Sequence, residues 1–406
     1  MKYDVIVIGG GAAGLTAALS ASGQGARVLV LEGASRVGRK ILASGNGRCN
    51  LANAGPARYF GGAYLAGSVL KGCPVEAVLS FFHGLGLVTV EEEGGRIYPG
   101  CGQAAAVLDV LRAECGRRQV EIRCDQPVLG LEKTPWGFRA HTQQDAFEGR
   151  SAVAAFGGMA GGKLGHDGSP YALLTGLGHT LIAPRPALTQ LTAEKWAVRG
   201  LSGLRLPARL TLCRGSQPLE AAQGEALFTD YGVSGVCAMQ LSRRAGEMLK
   251  RGETPTLYMD FTPMLGLTKR VYDRVPAQDP FRQVALTAAY LQKRQRMLSG
   301  KDLLLGLAPR LLAERLKGQS VEALAQSLAA FPVQLTAVRG MEHAQVTAGG
   351  IRGEEFSPDT LESRLCPGLF AAGEALDVDG DCGGYNLQFA FASGLTAGKW
   401  AAARKR

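Results

Sequence analysis

The chain has 406 residues, more than one hydrophobic core ordinarily organises, and 46% hydrophobic with 20% charged residues is a globular composition. No run of eighteen apolar residues is present, which excludes a simple membrane-spanning protein, and the 56 glycines fall between apolar runs without a short repeat, which excludes collagen-like and low-complexity chains. The formal charge of +10 is concentrated, with eleven basic residues against four acidic ones between Gly266 and Gly318, so a solvated face of a small helical domain is expected there and nucleic acid is disfavoured for want of interleaved aromatics.

Residues 3–32 open the chain with an apolar run, Val5 to Ile8, suited to a buried strand. Gly9, Gly11 and Gly14 follow in G-x-G-x-x-G spacing, then a helical pattern through Leu15, Ala18 and Leu19, and a second short strand, Val28 to Leu31, closes on Glu32. This order is a βαβ unit for a dinucleotide. The glycines let backbone approach a pyrophosphate, the helix start supplies free N–H groups, and Glu32 faces the adenosine ribose hydroxyls. Asp4 and the triple glycine argue against a secretory leader.

GRKILASGNGRCNLAN (38–53) comes next. Its glycines give backbone freedom, while Arg39, Lys40 and Arg48 carry positive charge toward the bound pyrophosphate. Cys49 beside Arg48 has no local histidine to act as base, which makes it a packing residue rather than a nucleophile. Residues 103–115 read as a helix, and VEIRC, VLGLE, WGFRA and SAVAAF (120–155) as short strands of a sheet with a β-meander. From Pro184 a strand-rich stretch lacking helical periodicity begins, and segments 282–298 and 320–330 regain it. The expected organisation is therefore a first part of the nucleotide domain at 1–186, an inserted β-rich domain at 187–263, an inserted helical domain at 264–340, and a second part of the nucleotide domain at 341–406.

GLFAAGEALDVDGDCGGYNLQFAFASG (368–394) reads as a strand, an acidic turn and a helix beginning near Tyr385. Asp377, Asp379 and Asp381 alternate as in a calcium loop, but its glycine and distal glutamate are not matched, so a solvated turn is expected and no metal. The nine cysteines form no C-x-x-C pair, which points to a reducing cytoplasm.

GGGAAG (9–14), the 38–53 segment, GEALFTDYGVSG (224–235), VTAGGI (346–351) and the 368–394 motif together resemble the BaiN/YhiN-like bacterial flavoproteins, NAD(P)/FAD-dependent oxidoreductases that include the aminoacetone oxidase family. The resemblance implies an α/β fold: a glutathione reductase-like, FAD-binding Rossmann-like domain built from both ends of the chain, with inserted β-barrel-like and helical domains. It implies that Gly9, Gly11, Ala13 and Gly14 hold the FAD pyrophosphate, Glu32 the ribose, and Arg39 and Lys40 the adjoining loop. Asn46, Gly47, Arg48, Cys49 and Asn50 lie along the flavin, and Val128, in a meander strand, meets the adenine through backbone. Gly373, Glu374 and Asp379 address the ribityl chain, with Gly384, Tyr385, Asn386, Leu387 and Gln388 at the ring's pyrimidine edge, where a helix start brings a partial charge of about +0.5.

Three departures from the family pattern stand out. Ala155-Phe156-Gly157-Gly158 lacks the usual threonine, GKLGHDGSPYALL (162–174) replaces a glycine- and aspartate-rich turn, and Asp230 stands where histidine is common. The implied activity is an FAD-dependent oxidoreductase in which NAD(P)H is a transient co-substrate and hydride passes from flavin N5 to an unsaturated carbonyl small molecule, a steroid-like enone. GGMAGG (157–162) has the wrong spacing for a second nucleotide domain. Tyr385, His166, His343 and Tyr98 are weak candidates for a proton donor, each more readily explained as structural. An FAD-dependent oxidase of a small amine and a flavin-containing RNA- or partner-binding protein are the competing readings; oligomeric state is open.

Overall fold

In the computed structural model, which describes residues 2–56, 58–267, 273–298 and 302–404, the chain forms two compact units, one of residues 1–185 with 346–406 and one of 186–345. Each has its own hydrophobic core. In chain order the first unit supplies β1 (Lys2–Ile8), α1 (Ala12–Ser22), β2 (Val28–Leu31), α2 (Ala104–Arg117), β3 (Glu121–Arg123), β4 (Gly130–Lys133), β5 (Phe138–His141) and β6 (Ala146–Ala154). The second supplies β7 (Leu191–Ala193), β8 (Arg205–Arg214), β9 (Gln217–Phe228), β10 (Gly232–Ser234), α3 (Val236–Lys250), β11 (Thr256–Asp260), β12 (Asp273–Val275), α4 (Val284–Leu298), α5 (Arg310–Leu316), α6 (Val321–Ala329) and β13 (Phe331–Val338). The first unit then resumes with β14 (Leu369–Ala371) and α7 (Tyr385–Ala403).

The central sheet of the first unit runs β3-β2-β1-β6-β5-β4, and β14 also pairs with β6. The strands of the nucleotide-binding half are parallel: Val5 faces Val28, and Ser151 faces Val5. Parallel strands need both faces covered, which is why Val5, Ile6, Val7, Leu29 and Val30 are apolar without alternation and fully buried. β6 pairs with β1 along one edge and divides its other edge between two partners, since residues 146–149 pair antiparallel with β5 and residues 152–154 pair parallel with β14. The sheet is thus completed by a segment more than two hundred residues downstream of β6.

Helices α1 and α7 lie together over this sheet. Their contact is made by missing side chains: a Cβ on Gly394 would run into the Ala13 carbonyl, and one on Gly398 into the Ala17 carbonyl. Ser20 Oγ donates to the Leu395 carbonyl at 2.7 Å across the same contact. Small residues four apart let two backbones meet, so the start of α1 is set by the last helix.

In the second unit, β8-β11-β13-β7-β10-β9 closes on itself through the β8–β9 pairing, forming a six-stranded barrel with β12 alongside β9. The barrel removes free sheet edges. The strand-rich stretch at 187–263 contains α3, a fifteen-residue helix that sequence periodicity did not reveal. Its buried face includes Cys237, Leu241, Ala245 and Met248, but Gln240 and Ser242 are buried too, which blurs the apolar stripe. Leu291 of α4, Leu312 and Leu316 of α5, and Leu324 of α6 share a core with the barrel residues. Of the basic residues in the 266–318 segment, Lys269, Arg270 and Lys301 lie outside the described residues. Among the described residues no single helix is long and apolar enough to cross a membrane.

Candidate flavin site

The glycine loop follows β1 directly. Gly9 has φ +105, in the left-handed region, and a Cβ there would strike the Ala155 carbonyl at the end of β6; one on Gly14 would strike the Gly9 carbonyl. The turn therefore fits against the sheet only without side chains. Gly11, by contrast, has open space where its Cβ would be, and it caps α1 with no side-chain acceptor. First-turn N–H groups are left facing that space, the arrangement that receives a pyrophosphate. Glu32, at the end of β2, accepts from Gly10 N at 2.7 Å and Ala34 N at 2.8 Å, which fixes its carboxylate beside the glycine loop.

The 38–53 segment winds into an unusual backbone. Gly45, Asn46, Gly47 and Cys49 all have positive φ, between 55 and 83 for Asn46, Gly47 and Cys49. Such a run turns peptide groups outward instead of into a helix. Asn53 ties it to the closing motif, its N–H donating to Gln388 Oε1 at 3.1 Å and its Nδ2 to the Gly383 carbonyl at 2.8 Å. Gly384, φ +105, caps α7 without a side-chain acceptor and approaches so closely that a Cβ would meet the Ala52 carbonyl and Asn50 Oδ1. That Asn50 Oδ1 is buried and has no hydrogen-bond partner among the described residues. An orphaned buried acceptor costs about 1–3 kcal/mol, so its placement beside an uncapped helix start marks a position for a hydrogen-bonding ligand.

A third junction joins the first and last motifs. Glu374 accepts from Lys40 Nζ at 2.9 Å, Gly158 N at 3.2 Å and Thr347 N at 2.6 Å, while Lys40 also donates to the Gly158 carbonyl at 3.0 Å. Gly373 N donates to Ser393 Oγ, and a Cβ on Gly373 would meet that of Ala13. Segments 9–14 and 38–53 are thereby brought to one place with 373–388, more than three hundred residues further along the chain.

Several expected contacts are taken up internally. Arg39 donates to the Lys163 carbonyl at 2.6 Å, and Arg48 pairs with Glu92 at 2.5 Å while lying over the Tyr98 ring. Asn386 closes on its own loop through the Gly380 N–H and carbonyl. What these residues offer to a ligand is position at the start of α7, where the Gln388 N–H already bonds the Gly384 carbonyl. Leu387 is half-buried at the same helix start. Val128 lies in the link between β3 and β4 rather than in a strand, because the extended residues there find no ladder partner. Asp379 and Asp381 are buried, not part of a solvated turn: Val378–Gly380 pairs antiparallel with Tyr59–Gly61, placing Asp379 opposite Phe60. Cys49 is fully buried, and burial pushes its thiol up to about 11.

The proton-donor candidates separate. His166 Nδ1 accepts from Gly168 N at 2.9 Å and Nε2 faces the Gly157 carbonyl at 3.0 Å, which assigns a neutral ring; burial, first among the causes, lowers its pKa. His343 belongs to the second unit, exposed beside Arg339 and Glu342. Tyr385 is buried, its carbonyl accepting from Tyr59 Oη at 2.8 Å. Tyr98 is half-buried against Gly45 and Arg48, and burial raises its pKa. Sequence reasoning missed Asn53 and Tyr59, whose polar groups pin the closing motif; Asn53 ends a glycine-rich polar run, and nothing local distinguishes Tyr59.

The family described as "HI0933-like protein Rossmann domain" matches residues 3–400. The chain belongs to this family. It is 38% identical over 417 residues to the 3-dehydro-bile acid delta(4,6)-reductase of Clostridium scindens, covering 98% of each chain. It is 29% identical over 401 residues to the ribosomal RNA dihydrouridine synthase of Escherichia coli, covering 97% of this chain and 96% of that one. Among solved structures, 3-ketosteroid-delta4-(5alpha)-dehydrogenase of Rhodococcus jostii RHA1 aligns over all of this chain and 97% of its own with a TM-score of 0.52 at 17% identity. The 3-ketosteroid delta1-dehydrogenase of Sterolibacterium denitrificans gives 0.52 at 14% identity, with both chains fully covered. These two establish likeness of fold. The uncapped start of α1, the Glu32 carboxylate and the orphaned Asn50 acceptor suit FAD, and this member of the HI0933-like family is an FAD-dependent oxidoreductase.

Proposed function

We propose that the chain saturates a carbon–carbon double bond conjugated to a carbonyl, in a steroid-like small molecule, with NAD(P)H as electron donor. The observation that carries this reading is the 38% identity, spanning 98% of both chains, to a reductase named for a 3-dehydro-bile acid. The 29% relative supports the same bond type, since making dihydrouridine saturates a uracil double bond conjugated to a carbonyl. Bound FAD supplies hydride transfer at N5, two electrons entering from the nicotinamide and leaving to the substrate.

The chain's own residues bind, orient and shield. Gly9, Gly11, Ala13 and Gly14 hold the pyrophosphate at the start of α1, Glu32 the ribose, and Val128 the adenine through backbone. Asn46 to Asn50 would lie along the ring, and the unpartnered Asn50 Oδ1 would serve as a hydrogen-bond acceptor toward it. Gly373 and Asp379 border the ribityl chain, and Glu374 with Lys40 fixes the spacing of the two ends. Backbone from Gly384 to Gln388 brings the partial positive charge of α7 to the pyrimidine edge. Tyr98, alongside the 44–50 turn, is the best-placed donor of the proton that completes saturation. The sequence carries no second G-x-G-x-x-G motif for NAD(P)H, so NAD(P)H and the substrate would occupy one site in turn.

The test is anaerobic spectroscopy of the yellow protein. Bleaching by NADH or NADPH followed by recolouring on adding a 3-oxo-4-ene steroid is the expected result. Bleaching by a small amine, with neither pyridine nucleotide effective, would replace this reading by the amine oxidase.

A further inference from the structure

The basic segment 266–318 takes no part in the reaction above, and α4 (Val284–Leu298) lies at its centre. Thr287 and Leu291 are the buried residues of that helix, and Leu291 joins the core shared with α5, α6 and the barrel. Turned away from that core, Leu286 and Met297 stand eleven positions apart, about three turns of helix, so they fall on one stripe with Lys293 between them. Leu286 is 49% and Met297 75% exposed. Arg294 Nε donates to the Leu303 carbonyl at 3.0 Å and its Nη2 to the Leu305 carbonyl at 2.7 Å, which holds Leu305, 73% exposed, against the same end of the helix.

Single exposed apolar side chains are ordinary; three gathered among cations are not. The helix contains Lys293, Arg294 and Arg296 and no acidic residue. Lys293 has no ion pair or hydrogen bond among the described residues, and Arg296 Nε meets a carbonyl of its own helix, that of Gln292, at 3.4 Å. The face is thus apolar and positively charged at once, with nothing in the helix to neutralise it.

We propose that this face docks on a lipid bilayer carrying anionic headgroups, Leu286, Met297 and Leu305 entering the acyl boundary while Lys293 and Arg296 meet the lipid phosphates. A helix lying in the plane of the interface has this arrangement, with cations flanking an apolar stripe. The contact is peripheral, since no single described helix is long and apolar enough to cross. An RNA backbone would neutralise the same cations but leave three apolar side chains in water, and stacked bases would call for exposed aromatics, which this helix lacks. The inference stands apart from the reaction and does not depend on the enone reading. Charge and apolar area are each a weak anchor alone, so both are needed.

Co-sedimentation of the FAD-loaded full chain tests it, with vesicles of equal parts phosphatidylglycerol and phosphatidylcholine against phosphatidylcholine alone. The mixed vesicles should bind about tenfold more tightly than the neutral ones, and the advantage should fade as salt approaches about 0.5 M. Lys293→Gln/Arg296→Gln should lose about tenfold on the mixed vesicles. Met297→Ser/Leu305→Ser should lose about as much while keeping the salt dependence. All four positions lie at the surface, so both variants should keep the visible spectrum and thermal midpoint of the parent, which separates lost docking from lost fold. In Met297→Trp, emission should move to the blue on mixed vesicles as the indole leaves water. Equal binding to anionic and neutral vesicles, binding to neither, or a loss in the charge variant with none in the apolar variant overturns the proposal. So does retention on polyuridylate or polyglutamate without retention on the mixed vesicles, which would assign the face to RNA or to an acidic protein.

Discussion

At the level of single side chains, the residue with most resting on it is Glu374. Its carboxylate meets one ammonium and two backbone N–H groups from three distant stretches of chain. Removing it leaves donors buried without an acceptor, which costs about 1–3 kcal/mol for each that water cannot reach. Glu374→Ala is expected to lower unfolding stability by about 3 kcal/mol and to shed FAD on gel filtration, whereas Glu374→Gln keeps one acceptor oxygen and retains more of both. Denaturant titration and the ratio of visible to protein absorbance read the two effects. This role was not legible in the sequence. The glutamate itself was singled out, but toward the ribityl chain, because an ion pair with Lys40 depends on where the fold sets residues more than three hundred positions apart. Cys49 is the opposite case: a lone cysteine with no neighbouring base reads as packing, and the structure buries it completely.

Among the secondary elements, those with strong local signals were readable and those defined by distant partners were not. β1, α1 and β2 appear where the apolar runs and glycines place them, because a buried parallel strand and a glycine turn impose their composition locally. The beginning of α7 at Tyr385 follows from Gly383-Gly384 for the same reason. The closed order of the barrel could not be read, since β7 pairs with β13 about 140 residues away, and α3 escaped because polar Gln240 and Ser242 interrupt its buried face. Between elements, Glu114 of α2 fastens that helix to α1: it binds Arg117 and Arg118, and Arg118 reaches the Leu19 carbonyl at 3.1 Å. Hydrogen bonding from Arg117, then from Arg118, holds the Glu114 carboxyl down to about 2. A folded pKa below the unfolded one contributes stability that is complete above the ordinary carboxylate range and is lost as pH falls toward 2. Glu114→Gln should therefore unfold more easily than the parent at pH 6 and converge with it near pH 2, as urea melts at the two pH values would show.

For the molecule as a whole, two cores imply two melting events. The first unit carries every residue proposed to touch FAD, and the barrel with α3 to α6 carries none of them. Ligand that binds only one folded unit stabilises that unit, by about 2.7 kcal/mol at a hundredfold excess over Kd. Scanning calorimetry of the FAD-free protein should resolve two transitions, only one of which rises when FAD is added; a single transition that moves as a whole would show the units to be thermodynamically fused. The excess of positive charge in 266–318 belongs to the unit that does not move.

The late arrival of β14 and α7 has a consequence for biogenesis. During translation, residues 1–185 leave the ribosome with the α1 backbone uncovered where Gly394 and Gly398 will press against it, and they must wait while the entire barrel is made. A nascent chain halted before residue 369 would carry a finished barrel beside an open sheet, unable to keep its vitamin-derived pigment, so yellow colour in stalled-chain preparations should appear abruptly only when the closing helix has emerged.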